Sequence, residues 1–230
     1  MKEGFEKGLV IEQGLIAHGR GEAFDYILGE RTIPAAARAE NAAAAFLVLA
    51  ENPVISVNGN VAALAAREVV KLSKSVPAIL EVNLFYRTEK RVQKVAECLR
   101  AAGAKEVLGT TPDARIPGFR SKRGLCSRDG IYSADVVLVP LEDGDRAEAL
   151  SRMGKVVLAV DLNPMSRTSI AATVTIVNEL TRTLPDVTKA VRRMKRFRAS
   201  ARRVASSFDN KANLSAVLKH MNARLSSISR

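Results

Sequence analysis

Apolar residues follow two different periods along this chain, and the switches between them mark its elements. Up to residue 51 the spacing is helical. The stretch Ala35-Ala-Ala-Arg-Ala-Glu-Asn-Ala-Ala-Ala-Ala is built from the residue with the best helix propensity. Pro34 suits the first turn of that helix, with Thr32 close to its cap. The period then changes. Pro53–Val57 predicts a strand, Asn58-Gly-Asn60 a turn, Val61–Ser75 a helix and Ile79–Phe85 a second strand. Thr88 predicts the cap of a helix running to Ala102, with Glu89 in its first turn. Glu106–Leu108 reads as a short third strand, and Gly109–Tyr132 as a long loop of a kind that is functional or mobile.

Two further apolar runs each end in polar residues that handle charge. Asp135–Pro140 leads into Leu-Glu-Asp-Gly-Asp-Arg146, and Val156–Val160 leads into Asp161-Leu-Asn-Pro-Met-Ser-Arg-Thr168. Short, wholly apolar runs predict buried parallel strands, whose C-terminal ends open into ligand sites. A helix over Arg146–Met153 joins them, Thr173–Val177 is a last strand, and the chain is helical from about Leu180 with a break at Phe208-Asp-Asn210. Strand–helix alternation predicts an α/β fold with a doubly wound parallel sheet. Three segments follow: an N-terminal helical segment over 1–52 packed on the core, an α/β core over 53–180, and C-terminal helices over 181–230, all in one compact domain.

Composition narrows the function. The formal net charge is +12, yet from Arg182 onward 13 basic residues face 2 acidic ones, so the excess belongs to the C-terminal helices. Such a tail binds nucleic acid or an anionic partner, or is a solvated or subunit-contacting face. With no Trp and 4% aromatics, a base-stacking platform is not expected. No apolar run approaches the length of a membrane span, and Met1-Lys-Glu-Gly-Phe-Glu-Lys has no signal-peptide block, so the expected location is cytoplasmic. Cys98 reads as a core residue; Cys126, beside Arg123 and Arg128, has the neighbours of a mildly acidified thiol.

Four clusters carry candidate chemistry. His18-Gly-Arg-Gly-Glu22 sets a cation between glycines, either to approach an anion or as an exposed turn. Asn58-Gly-Asn60 opens a helix where free N–H groups favour anions, or is a capped turn. Glu142-Asp-Gly-Asp145 holds Mg²⁺ or orients an amine through Asp143 or Asp145, or is a helix start, with Asp145 the expected cap. Asp161–Thr168 joins acceptors for ribose or adenine to a cation for phosphate. No Walker loop, catalytic triad or zinc constellation is present, which suits chemistry driven by positioning and electrostatics.

In order along the chain, Leu15–Tyr26, Leu28–Thr32, Ser56–Leu64, Val82-Asn-Leu-Phe-Tyr-Arg-Thr88, Ile131–Arg146 and Asp161–Thr168 resemble the archaeal phosphopantothenate synthetases, from about residue 4 to 228. The resemblance implies a Rossmann-like parallel sheet with additional N- and C-terminal helices, and a homodimer. It implies a 4-phosphopantoate–β-alanine ligase of coenzyme A synthesis, with ATP and Mg²⁺ as cofactors, converting ATP to AMP and pyrophosphate through an acyl-adenylate. ATP contacts fall on Arg20, Asp161, Leu162, Asn163, Arg167, Thr168, Glu179 and Leu180, where the family's residue at the Glu179 position is Asn. Substrate contacts fall on His18, Asn58, Gly59, Asn60 and Asn83, and catalytic roles on Arg20, Asp143 and Arg167. Family members carry a further N-terminal helical segment with a nucleotide-site arginine, so either the start lies upstream or the nucleotide is held with one cation fewer. The alternative is a nucleotide-responsive binding protein using its basic tail on nucleic acid or anionic partners.

Overall fold

A computed structural model describes residues 1–228. The apolar runs become β1 (Pro53–Val57), β2 (Ile79–Val82), β3 (Ala114–Arg115), β4 (Leu125–Cys126), β5 (Val136–Pro140), β6 (Val156–Val160) and β7 (Val174–Ile176). Five of them pair in the order β2-β1-β5-β6-β7, parallel throughout. Counting only these five, the order is 2-1-3-4-5, that of a doubly wound sheet whose connections reverse direction between its first and third strands.

The helices are α1 (Lys2–Glu6), α2 (Glu12–Leu28), α3 (Pro34–Leu49), α4 (Gly59–Ser75), α5 (Glu89–Ala101), α6 (Gly144–Arg152), α7 (Arg167–Ala171), α8 (Leu180–Lys195), α9 (Arg198–Ser207) and α10 (Asn210–Ile228). Alternation along the strands splits the core in two. Ile55, Val57, Leu138, Leu158 and Ile176 face a cluster supplied by α3, α4, α5 and α8. Val54, Val137, Val157 and Ala159 face Ile116, Cys126, Ile131, Ala147 and Leu150. The first cluster draws residues from all three sequence segments, and a third cluster seats Leu214 and Val217 of α10 against Leu28, Ile33 and Leu162. All the alanines of α3 but Ala37 are buried, and their small side chains bring α8 and α9 close to its axis.

Several expectations change. Thr32 does not cap α3: its N-cap is Ile33, with no side-chain cap bond, and Pro34 holds the first turn alone. Thr32 instead accepts from Asn178 Nδ2 at 2.9 Å. Glu106–Leu108 makes only a single bridge, Leu108 to Glu81, because Gly109 turns the chain away with φ +88°. The long loop is ordered. β3 pairs antiparallel with β4, and buried Glu81 accepts from Ser127 N (2.9 Å) and Ile131 N (2.7 Å), pinning the segment under the sheet edge. The break near residue 208 is present, and a second one at Arg196–Phe197 separates α8 from α9.

Candidate active site

At the switch point the ends of β1 and β5 lie side by side, and Asn58 ties them together. Its Oδ1 accepts from Val61 N (3.1 Å), capping α4, while Nδ2 donates to the carbonyls of Pro140 (3.1 Å) and Leu141 (3.0 Å). Leu141 is held at φ +54°, a left-handed conformation that costs a branched residue on the order of 1 kcal/mol. That turn projects Glu142 and Asp143 over the sheet edge. Gly59 is a close-approach glycine: a Cβ there would lie 2.1 Å from the Leu9 carbonyl. Asn60 Nδ2 donates to the Gly14 carbonyl (2.8 Å), which docks α2 across the start of α4.

Two cavities open around this edge. One, about 380 Å³, is bounded by Arg20, the Asn58–Asn60 turn, Phe85, Tyr86, Arg91 and the Leu141–Asp143 turn. The other, about 470 Å³, is bounded by His18, Arg20, Gly21 and Phe24 of α2, by Asp161–Asn163 and by Ser166–Thr168. Both include Arg20, Asn60, Glu142 and Asp143, so they run together around Arg20. A larger cavity of about 880 Å³ lies among α3, α8, α9 and α10. We assign the site to the sheet edge, because that is where the strand ends deliver convergent charged groups.

The charges are arranged in layers. Lowest is Arg146, 2% exposed, which pairs with Glu142 Oε2 (3.4 Å) and donates to Asn83 Oδ1. Burial pushes the Glu142 carboxyl above the usual carboxylate value, and Arg146 opposes that. Above it, Asp143 accepts from Arg146 N (3.2 Å) as the N-cap of α6, and its Oδ1 meets Arg123 Nη2 at 2.5 Å. Arg123 comes from the ordered loop and stacks 4.1 Å over the Phe85 ring. Outermost, Arg167 is 63% exposed and bridges Asp145 (2.6 Å) and Glu148 (3.0 Å). At the end of β6, Asp161 accepts from Ser166 Oγ (2.5 Å) and Asn163 N (2.9 Å). Its carboxyl is raised by burial, with Ser166, Asn163 and Arg20 acting against that.

The structure gathers His18, Arg20, Asn60, Asp143, Asp161, Leu162, Asn163, Arg167 and Thr168 on one cavity, and Asn58 and Gly59 on its neighbour. Glu179 and Leu180 line neither. Glu179 caps α8, accepting from Thr181 N (2.6 Å), and Leu180 is in the core. Asn83 is buried beneath the site, donating to the Leu125 carbonyl (2.9 Å). Asp145 is not the cap of α6 but stands in its first turn, since Asp143 has the extended backbone a cap requires. Residues 18–22 form neither loop nor turn. They lie inside α2, where positions 14, 17, 18, 21 and 24 share a helical face toward the cleft. Cys126 is fully buried, and desolvation pushes its thiol up to about 11, the reverse of acidification. The sequence assigned no site role to Arg91, Tyr86 or Arg123: Tyr86 lies in the Val82–Thr88 block and Arg123 in the aperiodic loop, whereas Arg91, in the first turn of α5, carried no signal.

A parallel sheet of this order, with arginines and carboxylates converging on its switch point, defines a doubly wound α/β protein built to take small, phosphate-bearing ligands at its carboxyl edge. The profile of the phosphopantothenate/pantothenate synthetase family matches residues 35–224. The chain is 53% identical over 228 residues to a 4-phosphopantoate–β-alanine ligase of Thermococcus onnurineus, covering 98% of this chain and 87% of that one. It is 52% identical over 223 residues to the ligase of the same name from Methanosarcina mazei, covering 96% and 88%. The chain belongs to the phosphopantothenate/pantothenate synthetase family.

Proposed function

We propose that this chain is a 4-phosphopantoate–β-alanine ligase of coenzyme A biosynthesis that uses ATP and Mg²⁺ and forms AMP and pyrophosphate. The observation that carries the reading is the pair of joined cavities meeting at Arg20, one for a nucleotide and one for the acid it activates. Among the described residues Arg20 has no hydrogen-bond or salt-bridge partner, so its guanidinium is available to anions from either side. ATP is assigned to the larger of the two, with Asp161, Leu162, Asn163, Arg167 and Thr168 around it. In the first step a carboxylate oxygen of 4-phosphopantoate attacks the α-phosphorus and pyrophosphate leaves. In the second the β-alanine amine attacks the acyl carbon, AMP leaves, and the amine gives up its extra proton. Arg20 stabilises charge that develops on the α-phosphate between the two ligands.

Mg²⁺ fits as a one-carboxylate ion. Asp143 Oδ2 is buried with no hydrogen-bond partner, whereas no group of three or more His, Cys, Asp or Glu is arranged to hold a metal among the described residues. Enzymes of nucleotides hold Mg²⁺ through one or two carboxylates plus substrate phosphates, where it neutralises phosphate charge. Asp143 meets Arg123 through Oδ1 and keeps Oδ2 without a partner, whereas Asp145 faces Arg167 with Oδ1 and Arg123 with Oδ2, so Asp143 is the better ligand. The reading includes a homodimer and a cytoplasmic location; no helix of the described residues is long and apolar enough to cross a membrane. The test is ATP–pyrophosphate exchange. Exchange should require 4-phosphopantoate and proceed without β-alanine; folded protein that gives none under any substrate combination would refute the ligase.

A further inference from the structure

The cavity of about 880 Å³ among α3, α8, α9 and α10 shares no residue with the two cavities at the sheet edge, and its size suits a small organic ligand. Arg38, Arg193 and Arg203 stand around it, and none of them has an ion-pair partner among the described residues. Arg193 Nη2 donates only to neutral Asn41 Oδ1 (2.5 Å). Asp209 is the one acid among the described residues on this wall, and the start of α10 takes it up, its Oδ1 accepting from Ala212 N (3.0 Å). Cations gathered on a concave wall without a counter-charge favour an anion. The start of α9 adds to that field. Its N-cap is Phe197, whose side chain has no acceptor to offer, so the N–H groups of Arg198 and Ala199 find none among the described residues. Ala199 lines the cavity, so the positive end of this 10-residue helix opens on it.

A second feature, independent of charge, calls for a hydrogen-bond donor. Asn213 is 5% exposed, and its Nδ2 donates to the Thr175 carbonyl (3.0 Å), while Oδ1 is buried without a partner. Leaving a buried acceptor unpaired costs its full desolvation, which an N–H group of a ligand on the same wall would offset. Apolar wall comes from Met194, Val204 and two rings, Phe208 and the largely exposed Phe197. One base needs only one or two rings, which a chain poor in aromatics still supplies. Phosphates for the arginines and the helix start, a flat face for the rings and an amino group for Asn213 occur together in an adenine nucleotide. We propose that this cavity is a second nucleotide site, separate from the sheet edge. It holds the phosphates at Arg193, Arg203 and the start of α9, and the base among Phe197, Phe208 and Asn213. The site gives part of the basic C-terminal charge a ligand, and it does not rest on the ligase reading.

Calorimetric titration of the full chain with ATP counts the sites. At ATP concentrations that saturate wild type, the double variant Arg193→Gln, Arg203→Gln should bind about one ATP fewer per chain, because it loses two charge-assisted contacts. Its melting temperature should not change, since both side chains are exposed. At the site that this variant lacks, ATP should bind at least about tenfold more tightly than tripolyphosphate, which has no base to stack. Irradiation of wild type with 8-azido-ATP should label a peptide of α8, α9 or α10, and the double variant should lose that label. Equal ATP stoichiometry in wild type and variant would overturn the proposal, and so would tripolyphosphate binding there as tightly as ATP. A variant that changes oligomeric state while binding as much ATP as wild type would instead make the cavity a contact between copies of the chain. If the sheet edge binds no ATP, wild type shows one site and the variant none, so failure of the ligase reading and failure of this site give different results.

Discussion

At the scale of single residues, the two arginines expected to handle phosphate have different surroundings. Arg20, at the meeting point of the cavities, has no hydrogen-bond or salt-bridge partner among the described residues, whereas Arg167 is exposed and already bridges Asp145 and Glu148. Under the proposed reading, Arg20→Ala should lower kcat/KM by about 100-fold or more at unchanged melting temperature, since it removes stabilisation of developing charge. Arg167→Ala should act mainly on KM for ATP, by about tenfold, because an arginine shared with two carboxylates has less to offer a phosphate. Steady-state kinetics with ATP varied checks both; equal losses from the two would contradict the contrast. Asp143 caps α6, pairs with Arg123 and presents Oδ2 to the site, and a substitution separates the cap from the two roles that need charge. Asn still caps a helix, at a cost of about 1 kcal/mol or less, but cannot supply a full negative charge to a cation. Asp143→Asn should therefore reduce turnover at least about tenfold, most at limiting Mg²⁺, while the melting temperature changes little. Full activity at limiting Mg²⁺ would leave Asp143 with only its structural roles, the cap of α6 and the pair with Arg123.

At the scale of elements, a buried polar node joins α2, α3 and α8 behind the site. Asn178 donates to Glu40 Oε1 (3.0 Å) and accepts from Arg182 Nε (3.1 Å), and Arg182 continues to Asp25 (2.5 Å). Glu40 is 4% exposed, and desolvation raises its carboxyl from about 4.5 to about 7, with the Asn178 bond pulling the other way. A carboxyl that binds its proton more tightly in the fold than in the unfolded chain favours the fold at low pH. That advantage is complete below about pH 4.5 and is lost as pH rises through about 7. The full difference is on the order of 3 kcal/mol. Glu40→Gln keeps an acceptor for Asn178 and cannot ionise. Denaturant unfolding should find it more stable than wild type at pH 8, with the gap closing by pH 5. A constant gap across that range would show that Glu40 does not titrate in the fold.

At the scale of the whole molecule, one apolar cluster contains residues of the N-terminal helices, the sheet and α8–α9. The basic tail is the part that this core does not explain. Its cations are mostly exposed, and those that pair, such as Arg182 with Asp25 and Lys189 with Asp186, are few. If the tail serves only solvation or subunit packing, replacing Arg192 and Arg196 by Gln should leave ligation within about twofold, because screened surface charges act weakly at a distance. If it binds nucleic acid, wild type should retard DNA or RNA at low salt, and the affinity should fall steeply as salt rises. Electrophoretic mobility shifts at two salt concentrations distinguish these cases.

The sequence by itself determined the elements and the edge where chemistry belongs. Five apolar runs could only be satisfied as buried parallel strands, and Asn58, Thr88 and the acidic turn after Pro140 stand at element ends because caps and turns need those side chains. It did not determine which side chains meet. Glycines beside Arg20 weaken the helical signal locally, so a cleft-facing stripe of α2 reads as a turn until α4 and Asn60 hold it in place. The loop before β5 has no period because its order comes from the β3–β4 pairing and from contacts with residues distant in the chain, the buried Glu81 carboxylate among them, and that order carries Arg123 onto Asp143. The position of Arg91 against the start of α4 likewise depends on packing between residues distant in the chain. Periodicity is local, set by the backbone's own repeat, whereas charge pairing depends on distances that only the folded chain fixes.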